Sequence, residues 1–395
     1  MLEPVGADQL FAAINGSTNS LESVANQALS NGIDLFQEKD YKTAEQEFRR
    51  AAGMAQFSAN GPEAYKYLAM TYDRMDMPDK AVKTYEQAVE RFINRDDLKI
   101  DLGNRYYGQQ RYAEAEKLYA EAVRLNPSDS NNYALGQAHL QTGKLSHAED
   151  IYRKIIRNSP EDHAGYYGLG QTLSKMERFG EALEAFEQAA ARKDEYWDAY
   201  AEIGYAHADL QQMAEAQQMV DLLQEDAPAL ADALNRYMYK TDPPKISFAH
   251  SSSTFAYTLP PKTQVAALDS YLSAADSSKR FTMVFQFDKE MDRESVEKIY
   301  NWRIQRASGG PLPGSGYNYG LAAADSEVKL PAFPESVYWD AKNLTATLRF
   351  DISQNETTDA LIHAGGVEFQ FLGEDKFGNA MDRDKDQFSG FSGVY

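Results

Sequence analysis

The side chains able to do chemistry in this chain of 395 residues are limited in kind. It has no cysteine, which excludes a disulfide framework, thiolate-bound zinc, iron–sulfur clusters and cysteine nucleophiles together. Its six histidines, His139, His147, His163, His207, His250 and His363, are scattered, and no H-E-x-x-H, G-x-S-x-G or Walker loop accompanies them. Asp382, Asp384 and Asp386 have the D-x-D-x-D spacing that opens a calcium loop. A loop of the EF-hand kind also needs Gly at its sixth position and Glu at its twelfth, where Gln387 and Gly393 stand. The run reads as a solvated acidic tail, with metal binding the lesser alternative. Acidic residues are plentiful, but nothing selects a catalytic pair. No catalytic residue, cofactor or enzymatic activity is expected. A different polar set recurs by position. Asn104, Gln137 and Gln171 follow one another at 33 and 34 residues, Tyr205 comes 34 further on, and Tyr107, Tyr133 and Tyr167 stand three or four residues from the amides. An amide both donates and accepts, so it can bond the backbone of an extended peptide whatever its sequence, while tyrosine rings supply flat apolar surface.

Elements that would hold such a set in line are written in the same period. An alanine followed at +4 by a large residue and at +7 by a small or apolar one occurs as Ala44/Phe48/Ala51, Ala81/Tyr85/Ala88, Ala115/Tyr119/Ala122, Ala148/Tyr152/Ile155, Ala182/Phe186/Ala189 and Ala216/Val220/Leu223. Twelve residues before each alanine sits a small residue: Gly32, Ala69, Gly103, Gly136, Gly170 and Gly204. Spacings of three, four and seven lie on one helix face, and small residues at fixed sites let two antiparallel helices approach. Each repeat is therefore a helical hairpin. Six copies in register over residues 25–224 resemble the tetratricopeptide repeat, and the helix over 227–239 reads as a cap on the last copy. His139 and His207 fall where other copies place Leu35, Tyr72, Tyr106 and Leu173, so they are expected to pack.

The resemblance implies a concave groove lined by the first helix of each pair. The amides and tyrosines above then form a strip along it: Asn104, Tyr107, Tyr133, Gln137, Tyr167, Gln171 and Tyr205. Such a strip suits an extended peptide. Some members of the family clamp a C-terminal carboxylate with Lys and Asn. Lys66 matches one such position, but Met70 stands where the Asn should be, and Asp97 and Ser130 occupy the later basic positions, so a clamp is not expected.

Beyond Pro243-Pro244 the period changes from 3.6 to 2. Phe281, Met283, Phe285 and Phe287 alternate with polar residues, as do Leu344, Ala346, Leu348, Phe350 and Ile352, and Val367, Phe369 and Phe371. Alternation with breaks at Gly, Pro, Asn and Asp clusters predicts an antiparallel β-sandwich. The run containing Phe287, Met291, Asp292, Val296, Asn301 and Trp302, and the late turn with Asp375, Gly378 and Asn379, resemble the opening and closing of bacterial immunoglobulin-like domains of the S-layer type over residues 280–382. The expected organisation is a flexible segment 1–24, a repeat solenoid with cap over 25–240, a linker and entry segment over 241–279, and an immunoglobulin-like sandwich over 280–395. Residues 307–336 read as a Gly/Pro-rich insertion.

Sixty acidic and forty basic residues leave a net charge of −20, of which −14 lies before Thr241 and −6 after. Counterion release from nucleic acid and attraction to anionic membranes are both disfavoured, and no apolar run is long enough for a membrane span. Residues 1–24 lack the basic and apolar regions of a secretory signal, so a cytoplasmic protein is expected, with an exported or cell-envelope structural protein as the alternative. The expected function is a non-enzymatic adaptor that binds a protein or peptide.

Overall fold

The computed structural model describes residues 7–308, 316–322 and 324–390. Helices α1 (Ala7–Gln37) and α2 (Tyr41–Gly53), α3 (Gly61–Arg74) and α4 (Pro78–Arg91), α5 (Asp96–Gly108) and α6 (Tyr112–Leu125), α7 (Asp129–Gln141) and α8 (Leu145–Asn158), α9 (His163–Lys175) and α10 (Phe179–Ala190), and α11 (Trp197–Asp209) and α12 (Met213–Asp226) form six successive hairpins, followed by α13 (Pro228–Thr241). The chain is already helical at Ala7, so the segment 1–24, read above as flexible, is helix from its seventh residue on. Residues 1–6 lie outside the described set.

In four of the repeats the small residue is a glycine dictated by a ring from the second helix. A methyl group on Gly103 would lie 2.5 Å from the Tyr119 ring, one on Gly136 2.8 Å from Tyr152, and one on Gly170 2.6 Å from Phe186. These rings are buried to within 2 % of full coverage. Dense packing leaves no room for a side chain opposite them. The turn inside each hairpin repeats as well. Lys39, Asp76, Gln110, Gly143, Glu177 and Gln211 all have φ between 58° and 75°, at the spacing of the repeats, and glycine occupies this left-handed position once.

The chain divides into two compact units, and the division falls within α13: residues to Leu210 with Glu215–Ala231 make one, and Gln211–Ala214 with the chain from Asp232 make the other. The second unit is built of antiparallel sheets. Strands β1 (Ile246–Ala249), β3 (Ser278–Phe287), β5 (Ser336–Asp340) and β6 (Thr345–Ser353) pair in the order β1-β3-β6-β5; β4 (Trp302–Arg306), β8 (Val367–Phe371) and β9 (Gln387–Phe388) make a second sheet, and β2 (Thr263–Gln264) and β7 (Leu361–Ile362) a third. Their inner faces meet in an aromatic core, in which Phe285 lies 5.8 Å from Trp302 and 5.5 Å from Phe369, ring centre to ring centre. The alternation expected in β3 and β6 holds from Phe281 to Phe287 and from Ala346 to Ile352, whereas Leu344 lies before β6 and is partly buried, and in β8 Glu368 is buried along with Val367, Phe369 and Phe371.

The residues that carried the second resemblance have structural jobs. Asp292 accepts from Ser295 N at 2.7 Å and starts the short helix α14 (Arg293–Glu297). Trp302 Nε1 donates to Val296 O at 2.8 Å. Asp375 accepts from the backbone of Phe377 and Asn379 at 2.8 and 2.9 Å, Gly378 turns the chain at φ 86°, and Lys289 reaches Asp375 at 3.0 Å with both residues buried. Part of the segment 307–336 is core rather than excursion, since Tyr317 and Val328 are buried; residues 309–315 and 323 lie outside the described set.

Candidate peptide-binding groove

The amides expected to line a groove sit on the first helices of successive hairpins, one residue after the small one. Asn104 on α5 is exposed, and its Oδ1 accepts from Tyr119 Oη at 2.7 Å. Gln137 on α7 donates Nε2 to Tyr133 Oη at 3.2 Å and, across to the next repeat, to Gln171 Oε1 at 3.4 Å. Gln171 on α9 in turn faces the Glu202 carboxylate of α11. The structure therefore brings Gln137 and Gln171 together in a ladder. The step beyond goes to Glu202, one helical turn before Tyr205, which is partly buried on the same helix.

The tyrosines are partly buried and rest on rings behind them. Tyr107 meets Tyr112 edge-on at 5.0 Å, Tyr133 meets Tyr152 at 5.7 Å, and Tyr167 contacts both Phe186 at 5.7 Å and Tyr196 at 5.1 Å. Burial pushes the hydroxyl pKa values of Tyr107, Tyr133 and Tyr167 up, so these phenols stay neutral donors.

The groove is electrically uneven. Towards its start Glu63, Asp73, Asp97 and Asp101 each have a basic partner. Lys66 reaches Asp97 at 2.5 Å and Asp101 at 3.6 Å, Arg95 holds Asp97 at 2.7 Å and Glu63 at 3.1 Å, and Arg105 holds Asp73 at 2.6 Å. Hydrogen bonds from Arg95, and then from Lys66, keep the Asp97 carboxyl far below the usual carboxylate range against the opposing effect of burial. Lys66 thus carries two carboxylates of its own chain. Towards the other end, burial and then the neighbouring Asp198 push the Glu202 pKa up, with Gln171 opposing them in part.

Tyr119 and Tyr152 take part in the floor of this surface, which their role as packing residues did not announce. The two occupy the same position in successive repeats. The Tyr119 hydroxyl satisfies Asn104, whereas the fully buried Tyr152 hydroxyl has only Gln137 beside it and makes no hydrogen bond of good geometry among the described residues. Glu202, Asp198 and Tyr196 were also outside the expected strip. Tyr119 and Tyr152 could have been found from their constant offset of 15 residues after the amide; Glu202 could not, because its place depends on how neighbouring helices slide.

Outside the groove, His139 packs between helices, 5.5 Å from His147, with its pKa lowered by burial. The acidic run does not converge. Asp386 turns inward and accepts from Gln370 at 3.1 Å, while Asp382 accepts from Asp384 N at 2.9 Å. Among the described residues no three His, Asp or Glu side chains are grouped as a cation would need. Among the same residues no helix is long and apolar enough to cross a membrane.

Comparison with known proteins bears on the helical unit. Residues 63–91, 100–163 and 167–233 match the tetratricopeptide repeat family, and the hairpins from α3 to α12 are built of tetratricopeptide repeats. A curated relative, the Hsp70-Hsp90 organizing protein of Triticum aestivum, is 29% identical over 157 residues, which is 40% of this chain and 25% of that protein. The chain thus spans a quarter of the length of that relative. Similar solved structures include pilF of Pseudomonas aeruginosa, 16% identical with a TM-score of 0.44 over 55% of this chain and 99% of that one. A tetratricopeptide repeat protein from Parabacteroides merdae is 15% identical, with a TM-score of 0.49 over 55% of this chain and 86% of that one.

Proposed function

We propose that this protein is a non-enzymatic adaptor whose repeat groove holds an extended segment of a protein partner, with the C-terminal unit, read as an immunoglobulin-like sandwich, serving as a second docking module. The observation that carries the reading is the amide strip. Asn104, Gln137 and Gln171 line successive first helices, are linked from Gln137 to Gln171 at 3.4 Å, and retain donors and acceptors with no partner among the described residues. A ladder of amides with spare bonding capacity matches the alternating N–H and C=O groups of an extended chain, whose backbone bonds give affinity without demanding one sequence. The partly buried tyrosines Tyr107, Tyr133, Tyr167 and Tyr205 add flat apolar contact beside it. Repeat arrays expose long surfaces of this kind because each unit packs only on its neighbours. The name of the wheat relative, an organizer of two other proteins, agrees with an adaptor role. The net charge of −20 argues against nucleic acid as the partner.

The test is the triple variant Asn104→Ala, Gln137→Ala, Gln171→Ala in the full chain. Partners captured by the native protein and identified by mass spectrometry should be lost from the variant while its helical content is kept. Undiminished capture of every partner refutes the groove reading.

A further inference from the structure

The uneven charge of the groove selects among extended peptides. Four acids near its start, Glu63, Asp73, Asp97 and Asp101, are each paired with Lys66, Arg95 or Arg105. Asp198 and Glu202, near its other end, have no ion pair among the described residues, and Glu202 is partly buried. A carboxylate taken partly out of water without a counter-charge is costly, and an isolated like charge beside it makes the cost larger. A rigid array does not relieve this by itself, so the site is preset for a cation brought by something else.

A second, independent feature points the same way. Tyr167 and Tyr196 lie beside the same place, with their rings 5.1 Å apart at 39° and both phenols within electrostatic reach of Asp198 and Glu202. Aromatic faces attract cations, most strongly where water is partly excluded. The Tyr196 ring is buried and already carries Lys193 Nζ 4.1 Å from its centre, so the aromatic face left for a bound cation is that of the partly buried Tyr167. Gln171 fixes the register, because it joins the Gln137 amide on one side and faces Glu202 on the other. A residue of the bound chain laid along the amides therefore has its side chain delivered to the carboxylates.

We propose that the far half of the groove is a subsite for a lysine or arginine side chain of the bound peptide, held between the Tyr167 ring and the Asp198 and Glu202 carboxylates. This rests on the groove reading above and adds the chemistry of the partner: an extended, basic segment with apolar neighbours. Acidic tails are excluded from this half by the same two carboxylates.

The experiment uses the full chain and three peptide series on one array, identical except that a central position is lysine, norleucine or glutamate. The lysine series should bind best and the glutamate series least, with lysine favoured over norleucine by about tenfold or more at low salt and less at high salt. The double variant Asp198→Asn, Glu202→Gln should bring the lysine series down to the norleucine series and leave norleucine binding unchanged. If binding is lost in the triple amide variant yet lysine, norleucine and glutamate bind alike, or glutamate binds best, the cation subsite is wrong and the groove stands. If no series binds, or binding survives the triple amide variant, the groove reading falls and the subsite with it.

Discussion

Tyr119 and Tyr152 offer a controlled comparison, because the repeat puts the same side chain in the same packing environment twice and changes one hydrogen bond. The Tyr119 hydroxyl donates to Asn104 Oδ1 at 2.7 Å, whereas the buried Tyr152 hydroxyl has the Gln137 amide beside it but makes no hydrogen bond of good geometry among the described residues. Tyr→Phe removes the oxygen and leaves the ring, so no cavity term of consequence enters. At Tyr119 the change removes a hydrogen bond worth about 0.5–1.5 kcal/mol net. At Tyr152 it removes a buried polar group whose unmet desolvation costs about 1–3 kcal/mol. Tyr119→Phe should therefore destabilise the helical unit by about 1 kcal/mol, and Tyr152→Phe should stabilise it by about 1 kcal/mol or more. The two variants differ in sign although the substitution is the same. Urea unfolding followed by circular dichroism at the helical band measures both against the native chain, with an unchanged slope on denaturant confirming that the difference is one of stability. Equal destabilisation by the two changes would mean that the Tyr152 hydroxyl is satisfied in solution, and the reasoning from its isolation would be refuted.

Three further outcomes follow from the same contacts. Asp375→Asn leaves buried Lys289 facing a neutral group 3.0 Å away and should cost the β unit about 3–5 kcal/mol in thermal or denaturant unfolding, with the added change Lys289→Met recovering part of the loss. The Asp375 pKa is lowered despite burial, chiefly by Asn379 and then Lys289, so its stabilisation is present above the ordinary carboxylate value and is lost as pH falls through the folded one; the Asn variant should lack that acid-side loss. Glu202 has the opposite sign. Its raised pKa means that the native state binds the proton more readily, so stability falls as pH climbs from the ordinary value of 4.5 through the folded one, and Glu202→Gln should flatten that slope and raise stability at neutral pH in a melting series. In the hairpin turns, Gln110 and Gly143 have φ of 61° and 75°. Gln110→Gly should gain about 0.5 kcal/mol, because relief of left-handed strain exceeds the added chain entropy, while Gly143→Ala should lose about 1 kcal/mol, both read from urea midpoints.

Much of the helical unit is legible in the sequence because its packing rule is local and repeated. A small residue is required where a ring from the partner helix arrives, as Gly136 is by Tyr152, and in the first five repeats that ring is sixteen residues on. The β unit is legible for a similar reason, since one buried face imposes a period of two on β3 and β6. The types of residue along the groove could be read as well, given the register, although Asn104 is exposed and already bonded while Gln137 and Gln171 are linked.

The sequence by itself determined the repeat, the change from helix to strand after Pro243-Pro244, and the line of amides and tyrosines, because each depends on spacing along one chain. Only the tertiary structure decided who faces whom across that line. It placed Lys66 on Asp97 and Asp101 and left Glu202 and Asp198 without a counter-ion among the described residues. It set Gln171 against Glu202, and it gave Tyr119 a hydrogen bond of good geometry that its equivalent Tyr152 lacks among the described residues. The reason is that neighbouring hairpins stack with an offset along the helix axis, and a shift of a single turn changes every partner while leaving the repeat pattern untouched.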